Sequence, residues 1–220
     1  MAIIKHRSQR VGIFIDTQNL YHSAKNLYRA KVNFGNVVKE AVAGRSLIRA
    51  VAYVIRTESE DEKSFFDALN KAGIETKVKD IRIFAGGAKK ADWDIGMAID
   101  AIAMANKLDT VILATGDGDF VPVVEYLKYT EGCQVEVIAF GKSAAGTLKD
   151  AADDFIDMCD APQNFLLGFR GAGARFGIPS FTGGRKSGAP QPDETEVVED
   201  VGDNDEGVDP AISMSGEPEK

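Results

Sequence analysis

The chain has little from which to build a soft-metal or nucleophilic site: two cysteines, Cys133 and Cys159, and two histidines, His6 and His22, in 220 residues. The cysteines lack the close spacing of metal ligands and are expected as packed thiols of a reducing compartment. Neither histidine has a partner at meaningful spacing, so both are expected on the surface and not as general bases. Also missing is any apolar run near the roughly 18 to 20 residues that a membrane-spanning helix needs. The segment Met1-Ala-Ile-Ile-Lys-His-Arg7 lacks the uninterrupted apolar core of a signal peptide. These absences lead to the expectation of a cytoplasmic protein with no membrane partner.

Large apolar side chains are scarce in one place only, the carboxyl-terminal stretch. Residues 188 to 220 carry eleven acids against one lysine, a net of −10, which leaves residues 1 to 187 at +2 within an overall −8. Such a segment cannot bury enough surface to offset the entropy of ordering it, so an acidic disordered tail is expected. Before it, residues 161–187 form a glycine-rich linker with Arg170, Arg175 and interleaved phenylalanines. That pattern suits either a plain linker or a segment that grips phosphates and stacks bases. Residues 1–10 are an amino-terminal extension, and residues 11–160 remain as one domain with a substantial core.

Within that domain strands and helices alternate. Val11 to Asp16, Leu47 to Ile55, Ile74 to Phe84, Thr110 to Ala114 and Gln134 to Phe140 read as strands, with Phe155 to Met158 a last extended piece. The first of them, a continuous apolar run closed by Asp16, fits a strand covered on both faces and so a parallel sheet. Helices are expected at Thr17 to Tyr28, Phe34 to Ala43 (capped by Asn33 and stopped by Gly44), Glu60 to Lys71, Asp92 to Ala105, Val121 to Tyr129 and Ala144 to Ala152. The helix after Asp92 is apolar almost all round and is expected to be buried. Ala85 to Lys90 reads as a loop. The fold class is therefore α/β, a three-layer sandwich around a mainly parallel sheet of five or six strands.

Acidic residues sit at one edge of this fold. Asp16 ends the first strand, Asp117 and Asp119 follow the fourth in Thr115-Gly-Asp-Gly-Asp-Phe120, and Asp94 begins the helix that feeds the fourth. With strands ordered 3-2-1-4-5, all four converge on the crevice where strand order reverses, the usual ligand site of open parallel sheets. Clustered carboxylates repel one another unless a cation lies among them. With no histidine or cysteine nearby, Mg²⁺ or Mn²⁺ is the matching choice. Taken singly, each acid has an ordinary alternative: Asp119, Asp92 and Asp94 as helix caps, and Asp16 to Asn19 as a capped turn. Asp100, six residues after Asp94, points about 120° away around the helix and is expected as a buried acid that either supports the site from behind or is structural.

At these residues the chain resembles the NYN domains of LabA type, a branch of the PIN-like metal-dependent ribonucleases. The matching pieces are Asp16-Thr-Gln-Asn19-Leu20, Lys90-Ala-Asp-Trp-Asp94 through Asp100, Thr115 through Pro122, Gly132 through Val137, and Ser143 with Leu148 through Ile156. The resemblance implies a PIN-like fold with Asp16, Asp94, Asp117 and Asp119 around Mg²⁺ or Mn²⁺ and Asn19 orienting a ligand or water; Thr115 and Asp100 are expected in support of that set. It departs from the pattern in having Thr115 where serine is common and a lysine displaced by one place before the central aspartate.

The expected activity is hydrolysis of RNA phosphodiesters, with Arg82, Lys89, Lys90, Arg170 and Arg175 as candidate backbone contacts; self-association is left open. The competing expectation is an RNA-binding or regulatory module without turnover. A haloacid-dehalogenase-type phosphatase ranks below both, because that chemistry wants Asp-x-Asp directly after the first strand and position 18 is Gln.

Overall fold

The computed structural model describes residues 3–56, 62–80, 82–83, 89–90 and 92–169. In chain order the elements are β1 (Arg10–Asp16), α1 (Thr17–Tyr28), β2 (Lys31–Val32), α2 (Phe34–Val42), β3 (Ser46–Arg56), α3 (Glu62–Lys71), β4 (Glu75–Asp80), β5 (Arg82–Ile83), β6 (Lys89–Lys90) and α4 (Asp94–Ala105). Then follow β7 (Thr110–Ala114), a 3₁₀ turn (Gly118–Phe120), α5 (Val121–Tyr129), β8 (Gln134–Ala139), α6 (Gly146–Ala151), β9 (Asp154–Asp157), α7 (Pro162–Phe165) and β10 (Leu166–Leu167).

Six strands form one sheet in the order β4-β3-β1-β7-β8-β9. Every pairing in it is parallel. The interior strands read as near-continuous apolar runs because helices cover both faces: all of β7 and all but Gln134 of β8 are buried. Renumbered within the sheet this is 3-2-1-4-5-6, the expected order with one further strand at the edge. Chain leaves β1 toward one edge and β7 toward the other, so the reversal falls between these two strands.

Several local expectations change. The helix expected to be buried all round is buried only along Met97, Ala101 and Ala105, while Ile95 and Ile99 are 73% and 60% exposed. One sheet covers one stripe of a helix, and the remaining isoleucines face outward. Lys89 and Lys90, expected in a loop, form β6 and pair with β5. The core also continues past Asp160: Phe165 and Leu166 are buried, Asn33 N donates to Phe165 O at 2.7 Å, and β10 pairs antiparallel with β2. Residues 161–169 thus belong to the packed fold and not to a linker.

Arg170, Arg175 and the acidic tail lie outside the described residues. Removing residues 188–220 is expected to leave the thermal unfolding of the remainder cooperative and its midpoint unchanged, as checked by circular dichroism. No helix among the described residues is long and apolar enough to cross a membrane.

Candidate functional site

Parallel pairing carries Asp16 to the carboxyl edge of the sheet, abreast of Tyr53 on β3. There its carboxylate caps α1: Asn19 N donates to Oδ1 at 3.0 Å, and Thr115 Oγ1 reaches Oδ2 at 3.4 Å. The turn after β7 is tied to the same place. Gly116 N donates to Asn19 Oδ1 at 2.9 Å, and Asp117 N donates to Thr115 Oγ1 at 3.2 Å. Asn19 therefore holds the β7 turn against α1, and buried Thr115 links two of the acids.

The glycines of that turn are set by close approach. A Cβ on Gly116 would lie 3.0 Å from Ala144 Cα, and one on Gly118 would lie 3.1 Å from Ala145 Cβ. The segment after β8 packs directly on the turn, and Ala145 N donates to Gly116 O at 2.9 Å. Asp117 then caps the 3₁₀ turn through Asp119 N to Oδ1 at 3.0 Å. The cap at this point is thus Asp117, where Asp119 was one alternative.

Asp16, Asp94 and Asp117 line a single crevice of about 210 Å³, with Gln18, Asn19 and Asp92 also on the polar side. Tyr53, Ile55 and Trp93 form the rest of its wall. Asp119 is exposed and does not line the crevice, although its charge still acts on Asp94. Neither Asp92 nor Asp94 caps α4; Trp93 holds the cap position without a side-chain hydrogen bond.

Asp100 lies behind this wall. Its Oδ2 accepts from Tyr53 OH and Lys77 Nζ, each at 2.6 Å. Burial pushes Asp100 upward, but those two bonds together with the charges of Lys77 and Arg49 hold the carboxyl below its usual value. Lys89, Lys90 and Arg82 are placed by backbone only, in the β5 and β6 pair.

Sequence reasoning missed the aromatic wall. Trp93 Nε1 donates to Val54 O at 2.9 Å, Lys79 Nζ stands 4.8 Å from the ring centroid, and Tyr53 meets it edge-on at 5.5 Å. Gly96 leaves room for it, since a Cβ there would come 2.7 Å from Trp93 Cε3. Adjacency to Asp94 was the one signal that could have singled Trp93 out. Tyr53 could have been found by counting register from Asp16.

The crevice is electrostatically strained. Burial, and only then the charge of Asp117, raises Asp16 above the ordinary carboxylate range, against the hydrogen bonds from Asn19 and Thr115. Burial also leads for Asp94, followed by the charges of Asp16, Asp117, Asp92 and Asp119. A raised acid binds its proton more tightly folded than unfolded, so its contribution to stability falls as pH rises through the folded pKa. In chelator, Asp94→Asn is therefore expected to melt above wild type at neutral pH, with the difference vanishing as the pH drops toward the ordinary carboxylate value of about 4. Differential scanning fluorimetry across pH checks this.

Among the described residues, no group of three or more acids, histidines or cysteines is arranged to hold a metal ion as it stands. The donor set nevertheless fits a hard cation. It is all oxygen, it carries excess negative charge, and a hydrated Mg²⁺ needs only one or two carboxylates in direct contact. Asp16 and Asp117 each spend Oδ1 on a backbone cap.

The NYN domain model matches residues 10–159. The protein "Low amplitude and bright protein LabA" of Synechococcus elongatus is 27% identical over 165 residues, spanning 70% of this chain and 86% of that one. A crystal structure of a protein of unknown function from Vibrio parahaemolyticus superposes with a TM-score of 0.67 at 30% identity, covering 75% of this chain and all of the other. The parallel sheet, the acidic crevice at its reversal and these matches lead to one statement of kinship: the chain belongs to the NYN domain family, with LabA among its relatives.

Proposed function

We propose that the protein is a metal-dependent ribonuclease that hydrolyses RNA phosphodiesters at the crevice between β1 and β7. One observation carries the reading: carboxylates from three separate elements, Asp16, Asp94 and Asp117, face one crevice in a member of the NYN family, whose fold suits nuclease chemistry. Asp16, Asp94 and Asp117 would hold Mg²⁺ or Mn²⁺, with Asp119 close enough to add to the field. Bound there, the ion supplies charge neutralisation at the phosphodiester and a more acidic water. Asn19 and Thr115 keep the acids in register, while Tyr53 and Trp93 exclude water from one side. Lys89, Lys90 and Arg82 are assigned to the RNA backbone, as are Arg170 and Arg175 beyond the described residues.

The second reading, an RNA-binding module without turnover, draws on the lack of a ready-made three-ligand cage among the described residues. Incubating a mixed pool of structured and single-stranded RNA with the protein in Mn²⁺, Mg²⁺ or EDTA separates the two. The nuclease reading expects cutting only with metal. Binding without cutting in any buffer transfers the case to the second reading.

A further inference from the structure

The outer face of α1 differs in charge from every other helix. Between Asp16 and Glu40 there is no aspartate or glutamate, while Lys25, Arg29, Lys31 and Lys39 all occur. Every other described helix that carries a lysine also carries an acid: α2, α3, α5 and α6. Cations near the sheet are largely neutralised, as in Arg10 with Asp109, Arg49 with Glu75, Lys77 with Asp100 and Lys128 with Asp153. Lys25 and Arg29 make no ion pair among the described residues. Lys25 Nζ instead stands 5.6 Å from the centroid of the Tyr21 ring, which is 41% exposed and meets His22 edge-on at 5.4 Å.

Position gives this face a direction. Gln18 lines the crevice. Gln18, His22 and Lys25 fall within about 60° of one another around the axis, with Lys25 about 10 Å farther along, and Tyr21 flanks the line. Arg29, the carboxyl cap of α1, continues it. The stripe runs from the acidic site outward as amide, aromatic and then cation. Unneutralised cations beside an exposed aromatic ring are what a single strand needs, phosphates on the charges and an unpaired base on the ring.

We infer that the outer face of α1 is the track along which single-stranded RNA runs to or from the crevice, with Lys25 and Arg29 on successive phosphates and Tyr21 beneath a base. The assignment of RNA rests on the ribonuclease reading; the track itself rests on α1. It also gives the acidic crevice, on a chain of net −8, a local source of attraction for a polyanion beside it.

The test measures fluorescence anisotropy of a labelled 12-nucleotide oligouridine in EDTA, using the full chain. Replacing both cations, Lys25→Ala with Arg29→Ala, is expected to weaken binding at least tenfold in low salt. It is also expected to reduce the slope of log K against log salt by about 1.4, two phosphates at about 0.7 each. Tyr21→Ala is expected to weaken binding at least fivefold with little change in that slope, since stacking carries no charge. The α3 control, Lys63→Ala with Lys71→Ala, is expected to bind as wild type.

Unchanged affinity and slope in the α1 variants would overturn the track, and so would a loss seen equally in the α3 control. A loss confined to phosphatidylserine vesicles would overturn it in favour of a membrane surface. Cleavage by wild type in Mn²⁺ is scored separately. An inert wild type with weakened α1 variants sinks the nuclease reading and keeps the track, whereas an active wild type with unaffected variants does the reverse.

Discussion

Asp117→Asn is expected to reduce metal-dependent RNA cleavage by more than about 100-fold while leaving the melting temperature at or above that of wild type. The activity estimate follows from position: Asp117 faces the crevice with Asp16 and Asp94, and loss of even an outer partner of a ligand commonly costs 10- to 100-fold. The stability estimate has two parts. Asparagine keeps the side-chain oxygen that accepts from Asp119 N, so the 3₁₀ turn stays capped. Removing one anion from the cluster also relieves repulsion on Asp16 and Asp94, both of which feel its charge. A single-turnover cleavage assay and a thermal melt check the two halves. A folding defect as large as the activity loss would mean that Asp117 is there for structure.

The largest stability effect is expected at the other end of the sheet. Glu136 on β8 is fully buried and receives Arg45 through two bonds, Nη1 to Oε1 at 2.6 Å and Nη2 to Oε2 at 2.9 Å. Arg45 is spent on carbonyls as well: Nε donates to Val42 O at 3.0 Å and Nη2 to Ala41 O at 2.8 Å. Lys5 Nζ lies 3.1 Å from Glu136 Oε2, and Gln134 Nε2 donates to Oε1 at 2.6 Å. Glu136→Ala leaves the guanidinium buried without its counter-charge and is expected to cost about 3 to 5 kcal/mol in urea unfolding. Replacing both partners, Arg45→Met with Glu136→Leu, is expected to cost much less, because no uncompensated charge remains. Cleavage per folded molecule should be unchanged in both. A Glu136→Ala cost below about 1 kcal/mol would show that water reaches the pair.

How much of this could be read from residues alone varies with the range of the interaction. The main strands and most helices carry their own periodicity, and the ends of β1 and β7 with the start of α4 put Asp16, Asp117 and Asp94 at one edge from the pattern alone. The two-residue strands β2 and β10 and the four-residue α7 carry no periodic signal, so the pattern stops at Asp160 while the packed fold continues through β10. The Arg45 to Glu136 pair spans 91 residues, and a glutamate within an apolar strand does not announce its partner. For α4 the pattern showed that the helix is apolar but not which stripe the sheet would take. Asp119 shares its motif with Asp117, yet the 3₁₀ turn leaves it exposed and off the lining.

The proposed nuclease requires that one crevice both hold the cation and govern the cutting of RNA. Trp93 is the only tryptophan in the chain and lines that crevice beside Asp94, so its emission reports on the site itself. Mn²⁺, a paramagnetic quencher, can be titrated while Trp93 fluorescence and RNA cleavage are followed in the same samples. Quenching and cleavage should rise with one midpoint in the wild type and both be lost in Asp94→Asn. RNA cut without quenching, or cut equally in EDTA, would mean that this crevice is not where the metal-dependent chemistry occurs.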